Sequence, residues 1–432
     1  MTEMSVEPYR EIVFDKDGDG PAGQAARVAE LARRGGGCTD LVLFAHGWNN
    51  SPSVATRFYS SFFAPFPGVT GPGVRLGYAG VVWPSMMFSD EPVPDYASLA
   101  ATVPGKTAVV ARLAELIGAE PEEEAAFVEF GSLLRELTDT DRADVLAGGA
   151  EVPDFLVGDP LEVYARFAAA GEEPGEGSGE GEGGGEGSGE GGSGEPGAGS
   201  GQGEGEGPGE ALFGGGDRVK RLWKGAKEAL RQATYYTMKR RAGVVGARGL
   251  GPLLGELART APALRVHLAG HSFGARLVAH ALLGLPAGAR NVKSVTLLQG
   301  AFSHYAFAPR LPHDQAHGGP LKDLLPRVDG PLVACHSHHD TALRVFYPLA
   351  SRLSRDDDSL LGQDDRRWGA IGYDGFQSVP DTATRTLESA LRDGLPAAGC
   401  VSVDTARVVS EHSDICHTEL ARVVARAGRF GR

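Results

Sequence analysis

The sequence predicts an α/β protein with a mainly parallel central sheet and helices on both faces. Three observations predict it. Short apolar runs rich in β-branched residues recur along the chain, helical periodicities separate several of them, and one run, Leu41–Ala45, is continuously apolar. A continuous apolar run suits a strand buried on both faces, and strand and helix in alternation suit a parallel sheet.

The first predicted strand is Glu11–Phe14, preceded by "MTEMSVEPYR", which has no basic region followed by an apolar run. The second, Leu41–Ala45, runs straight into His46-Gly47-Trp48-Asn49-Asn50. An ordinary turn needs neither the histidine nor the tryptophan, and the carboxyl end of a parallel strand is where ligands bind in open α/β sheets. Val74–Trp83 is the third. Residues 91–243 then break the rhythm and read as one helical insertion over the sheet, a candidate lid, between core segments 1–90 and 244–432. The insertion opens with acidic helical stretches such as "EEEAAFVEFGSLLREL". It continues through a Gly/Glu-rich linker, residues 171–216, too poor in apolar side chains to offset chain entropy and expected to be disordered. It closes with a basic helical segment, Asp217–Arg241. The strand rhythm resumes at Arg265–Ala269, followed by the helix "GARLVAHALLGL" from Gly274, then Val292–Leu298, Pro331–Cys335 and Cys400–Val409. A helix, "ICHTELARVVARAG" from Ile415, ends the series.

Charge is concentrated in the linker. The chain of 432 residues carries a formal net charge of −14, and residues 171–210 hold 11 glutamates with no lysine or arginine. The remainder is close to neutral, which gives no electrostatic case for nucleic acid. No window reaches 18 consecutive apolar residues, so a cytoplasmic protein is expected. Cys38, Cys335, Cys400 and Cys416 show no CxxC spacing and do not read as a disulfide framework.

Gly270-His271-Ser272-Phe273-Gly274 is a G-x-S-x-G pentapeptide at the junction of an apolar strand and an amphipathic helix. Glycines there relieve crowding around a strained turn, and the helix amino terminus behind it favours negative charge. In this context the chain resembles the α/β-hydrolase superfamily, in particular its lipase- and esterase-like members whose oxyanion loop begins His-Gly after the third strand. The resemblance covers residues 11–90 and about 244–432. It implies Ser272 as nucleophile, an acid after a later strand, a histidine after the last strand, and an oxyanion hole formed by the backbone N–H groups of Trp48 and Phe273. Trp48 stands where one large esterase branch has glycine.

The acid implied is Asp340, just beyond the strand Pro331–Cys335; the rival run Asp356-Asp357-Asp358 has no strand to deliver it. The base implied is His412, in a His-x-Asp arrangement similar to that of several bacterial lipases, with His417 as the alternative. The expected function is a serine hydrolase cleaving a carboxylic ester or related acyl bond, with a small-molecule acyl substrate and no cofactor. Two other classes stay open. His336-Ser337-His338-His339-Asp340 reads as H-x-H-x-D, a pattern that could serve a metal-dependent hydrolase, and a catalytically inactive binding scaffold is the third reading. Bland roles exist residue by residue: Ser272 as a helix cap, His271 in packing, His46 bonding loop backbone. The basic segment places Val219, Leu222, Trp223, Ala226, Leu230, Ala233 and Thr237 near one stripe, which suits either a core-packed helix or contact with an anionic membrane surface.

Overall fold

Eight strands form one sheet in the order β1-β3-β2-β4-β5-β6-β8-β7, and every pairing is parallel. They are β1 (Tyr9–Val13), β2 (Asp40–Ala45), β3 (Leu76–Val82), β4 (Arg265–His271), β5 (Val292–Leu298), β6 (Pro331–His336), β7 (Ala383–Thr386) and β8 (Gly399–Asp404). The computed structural model describes residues 4–33, 37–48, 52–85, 105–138, 154–156, 158–170, 215–346 and 369–431. Residues 171–214 of the Gly/Glu-rich stretch, Asn49-Asn50 and Asp356–Asp358 lie outside the described residues.

Parallel neighbours need crossovers, and along the chain the strands alternate with helices. They are α1 (Gln24–Arg33), α2 (Pro52–Phe63), α3 (Thr107–Ala119), α4 (Glu124–Leu137), α5 (Pro160–Ala170), α6 (Gly215–Val244), α7 (Gly251–Thr260), α8 (Phe273–Gly284), α9 (Leu387–Asp393) and α10 (Thr418–Gly428). A six-residue π-helical segment, Val245–Leu250, joins α6 to α7 without a break.

The composition of β2 follows from its place. All six of its residues are buried: Leu41, Leu43 and Ala45 enter one core layer, Val42 and Phe44 the other. Successive side chains point to opposite faces, so a strand covered on both reads as uninterrupted apolar sequence. On the second face Phe44 stacks on Phe62 of α2 at 3.9 Å between ring centroids. Burying one such side chain stabilises the fold by about 1.5–3 kcal/mol.

One end of the sheet differs from the expectation. Short, half-exposed Ala383–Thr386 forms the edge strand β7, which no apolar run announces. The run expected as Cys400–Val409 is extended only to Asp404. There the Asp404 carboxylate accepts the Ala406 N–H, and Thr405 donates from N and Oγ1 to His336 O, so the chain turns. The last helix likewise begins at Thr418 rather than Ile415, and helix α6 begins at Gly215, inside the stretch expected to be linker.

Helix α6 packs as a core helix. Trp223, Ala226, Leu230, Ala233 and Thr237 of its stripe are buried, and the Trp223 ring lies 4.7 Å from Phe127 of α4 while its Nε1 donates to Pro121 O. Lys220, Lys224, Lys227 and Arg231 take the exposed side. Near its end, Arg241 donates to Pro84 O at 2.7 Å, and Arg276 of α8 donates to Lys239 O at 2.8 Å. The insertion therefore shares the layer of core that covers α8. Among the described residues no helix is long and apolar enough to cross a membrane.

One buried polar chain crosses the amino ends of the strands. His267 lies 2.8 Å through Nε2 from Asp40 Oδ1 and 3.0 Å through Nδ1 from Ser294 Oγ, and Arg265 pairs with Asp40 at 3.0 Å. Burial depresses the His267 pKa, although Asp40 opposes it. The serine, histidine and aspartate are all sealed in the core, and their mutual hydrogen bonds meet the requirement that buried polar groups find partners.

Candidate active site

Ser272 sits on the turn between β4 and α8 at φ 55° and ψ −120°. A non-glycine residue in that region costs about 1–3 kcal/mol and persists only where its surroundings over-determine it. Here they do. Ser272 N–H donates to Leu298 O, and Ser272 O accepts from Ala275 and Ala301. A Cβ at Gly270 would lie 2.3 Å from Gly274 O, and one at Gly274 only 2.0 Å from Ala45 O. The two glycines of the pentapeptide are thus demanded by backbone contact, the second against the end of β2.

That contact brings the His46-Gly47-Trp48 loop to the serine. A Cβ at Gly47 would come within 2.8 Å of Ser272 Cβ. His46 is buried, donates from Nδ1 to Gly47 O at 2.8 Å, and receives the Trp83 indole N–H on its own carbonyl at 3.1 Å. Burial pushes its pKa down to about 4, so it is a neutral residue whose ring bonds the loop backbone. The Trp48 ring lies 6.4 Å from that of Phe273 and 6.0 Å from that of Tyr235, which α6 contributes. Phe273 opens α8, and the N–H of a first helical residue has no acceptor within its helix.

The structure brings the three separated polar residues together. His412 Nε2 is 2.8 Å from Ser272 Oγ, and His412 Nδ1 is 2.7 Å from Asp340 Oδ2. A carboxylate only accepts, so the imidazole carries its proton on Nδ1 and receives the Ser272 hydroxyl on Nε2. Asp340 is fully buried after β6, and its other oxygen accepts the Leu343 N–H at 3.0 Å. His412 keeps 24 % of its side chain exposed. This arrangement can take a proton from Ser272 and stabilise the resulting imidazolium.

Both rival groups stand elsewhere. His417 is the N-cap residue of α10, and its Nε2 is 2.6 Å from Asp414 Oδ1. Asp414 also accepts from Ser410 N and Oγ. Burial works against its charge, but these hydrogen bonds outweigh it and hold the carboxyl below its ordinary range. In the H-x-H-x-D stretch, His336 is half-buried, His338 and His339 are exposed, and Asp340 turns to His412. Among the described residues no group of three or more histidine, cysteine, aspartate or glutamate side chains is arranged to hold a metal ion.

One contact has no counterpart in the sequence reading. His271, expected at most to pack, lies with Nε2 2.8 Å from His412 O. Nothing in the sequence marks it beyond its position inside the pentapeptide. Comparisons of the chain with protein-family models, with curated proteins and with solved structures find no match.

Proposed function

We propose that the chain is a serine hydrolase of the α/β-hydrolase fold that cleaves a carboxylic ester or related acyl bond through an acyl-enzyme on Ser272. One observation carries the reading: an exposed-edge histidine bridges a serine on a positive-φ turn and a buried aspartate, at 2.8 and 2.7 Å. Ser272 attacks the carbonyl as His412 takes its proton. Asp340 holds the imidazole in the Nδ1–H tautomer, and His412 returns the proton to the leaving group. The N–H groups of Trp48 and Phe273 receive the oxyanion, aided by the amino terminus of α8.

The order serine, acid, histidine at carboxyl ends of parallel strands supports the fold assignment. The His-Gly loop departs from the pattern in following the second strand of the described sheet, not the third, yet it still abuts the serine turn. A reducing, cytoplasmic setting suits four cysteines that are all free.

Labelling with a fluorophosphonate probe tests the reading. A covalent adduct on Ser272, with hydrolysis of a short acyl ester, is the expected result. An intact, folded protein that neither labels nor turns over any acyl ester would favour the binding scaffold instead.

A further inference from the structure

The loop that carries His412 has no regular structure of its own: residues 405–417 form neither helix nor strand. Yet the ring must meet Asp340 with one nitrogen and Ser272 with the other at the same moment. Those two bonds orient the ring, and something must hold the backbone from which it springs. Asp414 ties the loop to itself through Ser410, and Ser337 Oγ donates to Val409 O at 2.8 Å. The carbonyl of His412 itself is held by His271.

A carbonyl only accepts, so His271 carries its proton on Nε2 and presents a bare Nδ1. That Nδ1 has no hydrogen-bond partner among the described residues, and it faces Gly47, where a Cβ would lie 3.1 Å away. The Phe58 ring covers the imidazole at 5.7 Å, and the His412 ring lies 4.9 Å away. Burial, with the neighbouring His412 next, lowers the pKa of His271 to about 3.

We propose that His271 is a positioning residue that locks the His412 loop to the serine turn through one Nε2–H···O=C bond, so that base and nucleophile move as a unit. This rests on the reading of Ser272 as nucleophile and His412 as base. The chemistry of the position explains the residue type. A donor is needed that reaches the carbonyl from the end of β4. It must also stay uncharged beside an imidazole that gains a proton during the reaction, since like charges at this distance in a buried site repel strongly. Lysine and arginine fail the second condition, and a carboxylate fails the first. Because His271 is bonded directly to Ser272, displacement of either partner is passed to the other without an intervening flexible segment.

The test compares His271→Leu, His271→Gln and His271→Asn with the parent, all checked for folding by circular dichroism. Glutamine places its amide N–H near the position of the imidazole Nε2, whereas asparagine falls one methylene short. Loss of the donor should lower kcat for a short acyl ester by about 10–100-fold, the cost of a misplaced catalytic group, with KM within about twofold. It should also speed hydrogen–deuterium exchange of the amides in residues 408–417. His271→Leu and His271→Asn should show both effects; His271→Gln should recover kcat to within about threefold, with parental exchange. A folded leucine variant with parental kcat and exchange would overturn the proposal, and so would glutamine and asparagine variants that cannot be told apart. Ser272→Ala separates the two readings. Turnover retained in that variant would sink the serine assignment, while exchange across 408–417 would still report whether His271 anchors the loop.

Discussion

Ser272 Oγ and His412 Nε2 stand 2.8 Å apart across 140 residues of sequence. The serine belongs to a strained turn between a central strand and its helix, and the histidine to an irregular loop after β8. Only the sheet order, which puts β4, β5, β6 and β8 side by side, makes them neighbours.

The strain at Ser272 predicts a trade between stability and activity. Glycine accepts φ 55° without the penalty a side chain incurs, so Ser272→Gly should raise the unfolding free energy by about 0.5–1 kcal/mol. The same variant should lose essentially all esterase turnover and fluorophosphonate labelling. Chemical unfolding of both proteins checks the first half. A destabilised glycine variant would mean that the serine side chain contributes packing or bonding that outweighs the strain.

Asp340→Asn keeps the shape of the acid and reverses its preference at His412 Nδ1. An amide nitrogen turned toward the ring would impose the wrong tautomer, and kcat should fall roughly 10³–10⁴-fold with little change in KM. A strong chelator, by contrast, should leave parental turnover unchanged. Loss of activity on chelation with recovery on adding zinc would reassign Asp340 and its neighbouring histidines to a metal.

The close approach of the serine turn to the end of β2 predicts different outcomes at its glycines. At Gly274 a new methyl would meet the Ala45 carbonyl at 2.0 Å, backbone that cannot yield. Gly274→Ala should therefore destabilise by about 3 kcal/mol or more. At Gly47 the nearest atom is Ser272 Cβ at 2.8 Å, a milder clash that must still move the serine turn, so Gly47→Ala should cost less stability than Gly274→Ala but displace the serine and lower kcat about tenfold or more. Thermal unfolding and steady-state kinetics on the pair distinguish the two, and equal behaviour would refute the geometry.

Buried neutral histidines predict how stability depends on pH. The pKa values of His46 and His271 are depressed to about 4 and about 3, and those of His267 and His280 are also lowered, in each case first by burial. In the unfolded chain each returns to about 6.5. Below that value the unfolded state binds protons that the folded state refuses, so stability falls as pH falls, with the loss running down through pH 4 and 3 for the two sites. Each group contributes a slope of at most about 1.4 kcal/mol per pH unit. Urea unfolding at pH 7.5, 6 and 5 should show a steady decline. A flat profile over that range would mean that these rings are not held neutral.

What the sequence determined by itself is local. Leu41–Ala45 and Pro331–Cys335 read as buried strands because residues covered on both faces leave no polar alternation, and both strands exceed the reading by a single residue at one end. The stripe on α6 was equally visible as a periodicity, but which surface it meets was not. The turn at Ser272 was legible because its glycines are imposed by contacts within five residues and by one neighbouring strand. Strand β7 escaped notice because an edge strand needs no apolar signature.

The tertiary structure alone decided which of several like residues share a site. Among the described residues two chains run serine–histidine–aspartate with the histidine in the middle, and their residue types do not tell them apart. Ser294, His267 and Asp40 are sealed among the amino ends of the strands, whereas Ser272, His412 and Asp340 meet at the carboxyl ends, with the histidine partly open to solvent. His417 and His412 differ in sequence by five positions and in structure by their partners, Asp414 for one and Asp340 with Ser272 for the other. The role of His271 was likewise invisible. Its partner is a backbone carbonyl 141 residues away, and every residue has such a carbonyl, so no side-chain pattern encodes the pairing. Hydrogen-bond partners across long loops are chosen by strand order and packing, which the chain specifies only when it folds as a whole.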